Sequence, residues 1–177
     1  VQGNFDRYLV RPLNPMAQII CNRFEISSVA HFLIGISALI FGSVKAGIDW
    51  TPAKLVFFPM VVGGAVLIQG AIRMGVSAVA FWTTRNRPLV HTLVFSSKEF
   101  IYYPISIYNF GIQLFLTFLF PLAFINYYPS HFFLDHVGSS LFHPLFQYGT
   151  PLVGLMVFGI SYTFWQFGTL KYQSVGH

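Results

Sequence analysis

The chain has 177 residues and a formal net charge of +5, yet only 8% of it is charged while 55% is hydrophobic and 19% aromatic, with a mean hydropathy of +0.64. So small a charged share excludes an ordinary soluble domain, in which about a quarter of residues carry charge, and with no basic run to form a nucleic-acid surface the positive balance reads as orientation in a bilayer. Cys21 is the only cysteine, which excludes an internal disulfide and any Cys-based zinc or iron–sulfur site.

The opening stretch, 1–27, is polar, basic and stocked with helix punctuation. The chain begins at Val1 with no signal-peptide pattern, and a preceding N-terminal portion is expected. Phe5, Leu9, Leu13, Met16 and Ile20 recur at helical spacing, Arg7 and Arg11 share one helix face, Pro12 halts a first helix, and Asn14 with Pro15 starts a second. Such a segment either lies on the membrane surface with its arginines on lipid phosphate or docks on a partner protein.

Four spans follow, so the fold class is an all-α polytopic membrane protein, a single membrane domain over 1–177. The first runs from about 28 to 47, long enough for a hydrocarbon core that needs about 20 helical residues. A polar turn with Lys45, Asp49, Trp50, Thr51, Pro52 and Lys54 leads to the second, about 55 to 82. That stretch exceeds one membrane thickness and is expected to tilt, bend at Gly63–Gly64 or Gly70, or project into water; it holds Gln69 and, one turn on, Arg73. Thr83 through Tyr103 carry Arg85, Arg87, His91, Lys98 and Glu99 and are expected along the interface. The third span runs from about 105 to 121, where Pro121 kinks or closes it. The piece from 123 to 148 is aromatic and broken by Pro129 and Pro144, which predicts short outer helices, interfacial or re-entrant. The last span covers about 150 to 168.

Four crossings place both ends and the 83–103 segment on one side. That side holds Arg7, Arg11, Arg23, Arg85, Arg87, Lys98 and Lys171, against Lys45 and Lys54 opposite, so the positive-inside rule predicts that both ends are cytoplasmic. No G-x-S-x-G elbow, H-E-x-x-H pair or phosphate-binding Gly-rich loop occurs, so ATP, if used, belongs to a partner chain. The outer residues His131, Asp135, His136 and His143 have the chemistry of zinc ligands but match no familiar spacing, and no metal, cofactor or catalytic residue is assigned. They leave one alternative, a membrane enzyme acting on lipid; a non-catalytic scaffold subunit is another.

The run Phe5-Asp6-Arg7-Tyr8-Leu9-Val10-Arg11-Pro12-Leu13 resembles the opening cytoplasmic segment of a little-characterised branch of the ABC type-2 exporter permeases. Trp50-Thr51-Pro52-Ala53-Lys54, Phe81-Trp82-Thr83, Lys98-Glu99-Phe100, Tyr103-Pro104-Ile105-Ser106-Ile107-Tyr108, the run from Pro121 to Pro129 and Tyr172-Gln173-Ser174-Val175-Gly176 agree in order. The resemblance implies a six-helix permease of the plasma membrane, here without its first two helices, that pairs with a second permease and with cytoplasmic ATPase subunits carrying ATP and Mg. It implies that the coupling segment falls on Phe5 to about Phe24, with Phe5, Asp6, Arg7, Tyr8, Leu9, Arg11, Pro12 and Leu13 docking the ATPase, and that the 123–148 helices cap the path. Gln69, Arg73, Tyr108 and Asn126 are the candidates for lining a path, Arg73 otherwise nearing the cytoplasmic surface, and the aromatic-rich spans suit an amphiphile such as a lipid, drug or peptide as cargo.

Overall fold

The computed structural model describes residues 12, 18, 27–79, 100–135 and 142–170. The chain divides into two compact units, Val1–Ile48 with Gln173–His177 and Asp49–Tyr172. All regular structure among the described residues is helical.

The first unit contributes α1 (Ser27–Lys45), 19 residues or about 28 Å of helix. It is apolar all round, and apart from Ser43 its side chains are not buried in the protein, as suits a helix set in lipid or among other helices. Its end is chemically specified. Gly47 takes φ 63°, the Ile48 N–H donates to the Ser43 carbonyl at 3.0 Å and the Gly47 N–H to the Val44 carbonyl at 3.3 Å, which satisfies the last carbonyls as a Schellman cap does.

In the second unit α2 (Pro52–Ala78) is one unbroken helix of 27 residues, about 40 Å. Thr51 caps it by accepting from the Lys54 N–H at 3.4 Å, with Pro52 at the first helical position. It therefore starts three residues before the expected 55, and Pro59 removes one backbone donor without breaking it. The helix runs without interruption through Gly63–Gly64 and Gly70. Gly64 is a contact point with α5 (Thr150–Leu170), the 21-residue final span.

A Cβ on Gly64 would lie 2.6 Å from the Thr150 carbonyl oxygen and 2.9 Å from Pro151 Cα, and one on Gly154 would lie 2.6 Å from the Gly64 carbonyl oxygen. The two backbones touch there, as small residues allow in membrane helices. Farther along, Gly70 faces Phe158 and Gly75 faces Ser161. The contacts advance together along both helices, so α2 and α5 run parallel.

Parallel spans oblige the chain between them to cross back. The described residues between them include Phe110–Leu119 and Leu122–Phe133, apolar limbs that together are long enough for one broken span. This stretch is not the single helix expected over 105–121. A 3-10 turn at Ile105–Ile107 is followed by α3 (Phe110–Leu114), which widens into a π-helical turn at Phe115–Leu119. After a 76° bend come a second 3-10 turn at Leu122–Phe124 and α4 (Tyr127–Phe133). Pro121 forces the break, because the residue before a proline is pushed out of the helical region, and Phe120 has φ −119° and ψ 87°. Neither limb alone reaches the roughly 30 Å of a hydrocarbon core. With the bent pair as one span, the described helices make four crossings rather than three, and the first part of the 123–148 piece is the second limb of that span.

The core collects Ile68 and Ile72 of α2 with Ile105, Leu116, Leu122, Ala123, Phe124 and Tyr128 of the broken span. Gly64→Ala should lower thermal stability in detergent by about 1–3 kcal/mol, since its new methyl meets backbone that cannot rotate away. Gly63→Ala, with nothing within 4 Å of its Cβ, should be neutral or slightly stabilising from helix propensity alone.

Candidate functional site

A bent helix in a membrane frees backbone groups that no water can satisfy, so side chains must reach them. Here they do. Asn109 caps α3 by accepting from the Ile112 N–H at 3.0 Å, and Gln113 Nε2 donates to the Tyr108 carbonyl at 2.7 Å. Asn126 Nδ2 donates to the Ile101 carbonyl, tying the second limb to the chain ahead of the first. Thr117 Oγ1 and the Tyr128 hydroxyl, both buried, share a 3.0 Å hydrogen bond across the bend. Thr150 Oγ1, fully buried at the start of α5, donates to the Phe124 carbonyl at 2.6 Å. One residue thus joins α2, α5 and the broken span, because Thr150 also presents its backbone to Gly64.

A second cluster lies at the start of α2. Lys54 is only 4% exposed, and its Nζ donates to Asp135 Oδ2 at 2.6 Å and to the Phe133 carbonyl at 2.9 Å. The carbonyl belongs to the last turn of α4, where the helix dipole also favours a cation. Aromatic rings pack around it: Phe57 against Phe132 at 5.0 Å and Tyr148 at 5.8 Å, Trp50 against Phe58 at 5.7 Å and Phe133 at 6.0 Å. This ties α4 and the 3-10 turn Pro144–Tyr148 to the part of α2 that runs beyond the start of α5.

Of the residues considered as metal ligands, Asp135 is engaged by Lys54, His131 meets the Tyr127 ring edge-on at 4.9 Å, and His143 Nδ1 accepts from the Leu145 N–H at 3.2 Å. His136 lies outside the described residues. Among the described residues no group of three or more His, Cys, Asp or Glu side chains converges.

The four path candidates do not form one polar group. Tyr108 and Asn126 serve the broken span through its backbone, Tyr108 also packing edge-on against Phe100 at 5.7 Å. Gln69, half-buried, and Arg73, exposed, lie on another face of α2. The docking residues Phe5, Asp6, Arg7, Tyr8, Leu9, Arg11 and Leu13 lie outside the described residues, and Pro12 is an exposed bend. Sequence reasoning missed Gln113, Thr117, Tyr128 and Thr150, whose only signal was a polar group inside an apolar run beside a proline break.

Two predictions follow from these contacts. Asp135 is 71% exposed and the Lys54 side chain 5%, so removing the buried partner should cost less than removing the exposed one. Lys54→Met leaves a solvated carboxylate and should cost under about 1 kcal/mol, whereas Asp135→Asn leaves a buried ammonium under-satisfied and should cost about 1–3 kcal/mol in thermal unfolding. Thr117→Val and Tyr128→Phe should each cost about 0.5–1.5 kcal/mol, with the double variant costing less than their sum in a double-mutant cycle.

Compared with known proteins, the chain matches the model of the ABC-2 family transporter proteins over residues 1–176. No curated protein and no solved structure matches it. A match that runs essentially end to end, on a chain of apolar helices with the order and punctuation described, leads to one conclusion: the chain belongs to the ABC-2 family of transporter membrane proteins.

Proposed function

We propose that this membrane permease subunit exports an amphiphile and is driven by separate cytoplasmic ABC ATPase subunits that bind ATP and Mg. In this reading it pairs with a second permease subunit in the plasma membrane, and Phe5 to about Phe24 is the segment on which the ATPase pushes. The family match over 1–176 carries the reading. The parallel packing of α2 and α5 supports it, because it requires the chain between them to cross back and so makes the number of crossings even. The excess of Arg and Lys in 1–26, 83–103 and the C-terminal tail supports placing the docking segment in the cytoplasm.

Transport then consists of rocking the α2 and α5 pair against the broken span. The break suits such a motion, since a span of two limbs can change its angle without unfolding either. The lipid-modifying alternative has less support: Asp135 is engaged by Lys54, and His131 and His143 serve local structure.

The test is affinity purification of the protein from its native membrane under mild extraction, followed by identification of any ATPase that accompanies it. An ABC ATPase should co-purify with the wild-type chain and be lost from the variant carrying Arg11→Glu with Leu13→Asp. Recovery of the chain without any ATPase would overturn the reading.

A further inference from the structure

The face of α2 opposite α5 has a composition that its packing does not explain. At about 100° per residue, Arg73 falls about 180° from Gly64, the point where α2 touches α5. Gln69, Arg73 and Ser77 recur at single-turn steps on this face, with Arg73 and Ser77 exposed and Gln69 half-buried. Toward the start of the helix the same face turns apolar: Val66 is 64% exposed and Val62 44%, with Pro59 exposed beyond them. Polar groups therefore occupy one end of a continuous exposed strip, and aliphatic groups the other.

Among the described residues the arginine has no counter-charge nearby. The carboxylates among the described residues are Asp49 and Asp135, both at the start of α2, and Asp135 is already on Lys54. Arg73 follows Lys54 by 19 positions, about 28 Å of helix. If the Lys54 and Asp135 pair marks one boundary of the hydrocarbon, Arg73 lies near the other, roughly 30 Å away. The apolar part of the strip, from Gln69 back to Pro59, spans about 15 Å, the depth of one leaflet.

We propose that this strip binds an anionic amphiphile, its phosphate or carboxylate on the Arg73 guanidinium between Gln69 and Ser77 and its tail along Val66, Val62 and Pro59. The planar guanidinium matches such oxyanions with two parallel hydrogen bonds, and a neutral or zwitterionic headgroup offers less net attraction. The assignment rests on the permease reading, for which it names the class of cargo, and it makes the half of α2 that faces away from α5 the substrate surface.

The experiment needs no ATPase, so its failure is distinct from failure of the co-purification above. The full-length protein is reconstituted in phosphatidylcholine nanodiscs carrying a trace of photoactivatable phosphatidylglycerol or, in matched discs, photoactivatable phosphatidylcholine. After irradiation, adducts are mapped by mass spectrometry. Adducts on the Pro59–Val66 stretch should be favoured for phosphatidylglycerol. They should fall about tenfold in Arg73→Gln, the loss of a charge-assisted contact, and by less in Arg73→Lys, which keeps the charge but loses the two-point fit. Equal labelling by the two lipids overturns the proposal, and that wild-type comparison stands without any variant. Phosphatidylglycerol adducts unchanged in Arg73→Gln also overturn it, as does an absence of adducts with Arg73 cross-linked to an acidic side chain of another chain.

Discussion

The backbone contact between Gly64 and Gly154 is the constraint from which the rest of the membrane unit follows. Within a bilayer the hydrophobic effect does little to bring one apolar helix to another, so close packing and hydrogen bonds have to do it. Two glycines facing each other let α2 and α5 approach until one carbonyl lies where the other's side chain would be. That approach holds the two parallel helices in backbone contact at the start of α5, and their shared direction constrains the path of the chain between them.

What lies between is a span that could not be a straight helix. Pro121 ends the first limb and the chain turns through 76° before resuming. The polar residues that sequence scales penalise in a membrane, Gln113, Thr117, Asn126 and Tyr128, are the ones that make the break tolerable, each spending its hydrogen bond on the freed backbone or across the bend. Thr150 extends the same logic to the start of α5. Gln113, Thr117 and Tyr128 of the broken span are buried and hydrogen-bonded, whereas Arg73 and Ser77 on α2 are exposed.

The distinction bears on how a site is recognised in such a chain. Tyr108 and Asn126 read as path residues because polar side chains in apolar runs are expensive and so need a role. In the structure each also serves the broken span through a backbone carbonyl, Tyr108 accepting from Gln113 and Asn126 donating to Ile101. Gln69 and Arg73 carried the same signal, and on α2 Gln69 is half-buried and Arg73 exposed, on the side away from Gly64. Lys54 and Asp135 were both visible as polar loop residues, one in a turn and one among histidines. Their pairing was not, because 81 positions separate them and only the fold brings them together.

The sequence by itself determined the solvent, the helical class and the approximate ends of α1 and α5 and the start of α2. Each follows from local chemistry: the length of an apolar run, a capping threonine or glycine, a proline. The resemblance to ABC type-2 permeases also rested on local runs, and the family match over 1–176 agrees with it. Only the tertiary structure decided that Gly64 is a contact with α5, that the apolar stretch expected as the third span is two limbs, and that the second limb takes up the first of the interfacial or re-entrant helices expected between 123 and 148. The reason is physical: a glycine reads the same whether it bends a helix or admits a neighbour, and a proline marks a break without its direction. Both are resolved by what packs against them, and here that is a helix some ninety residues farther along the chain.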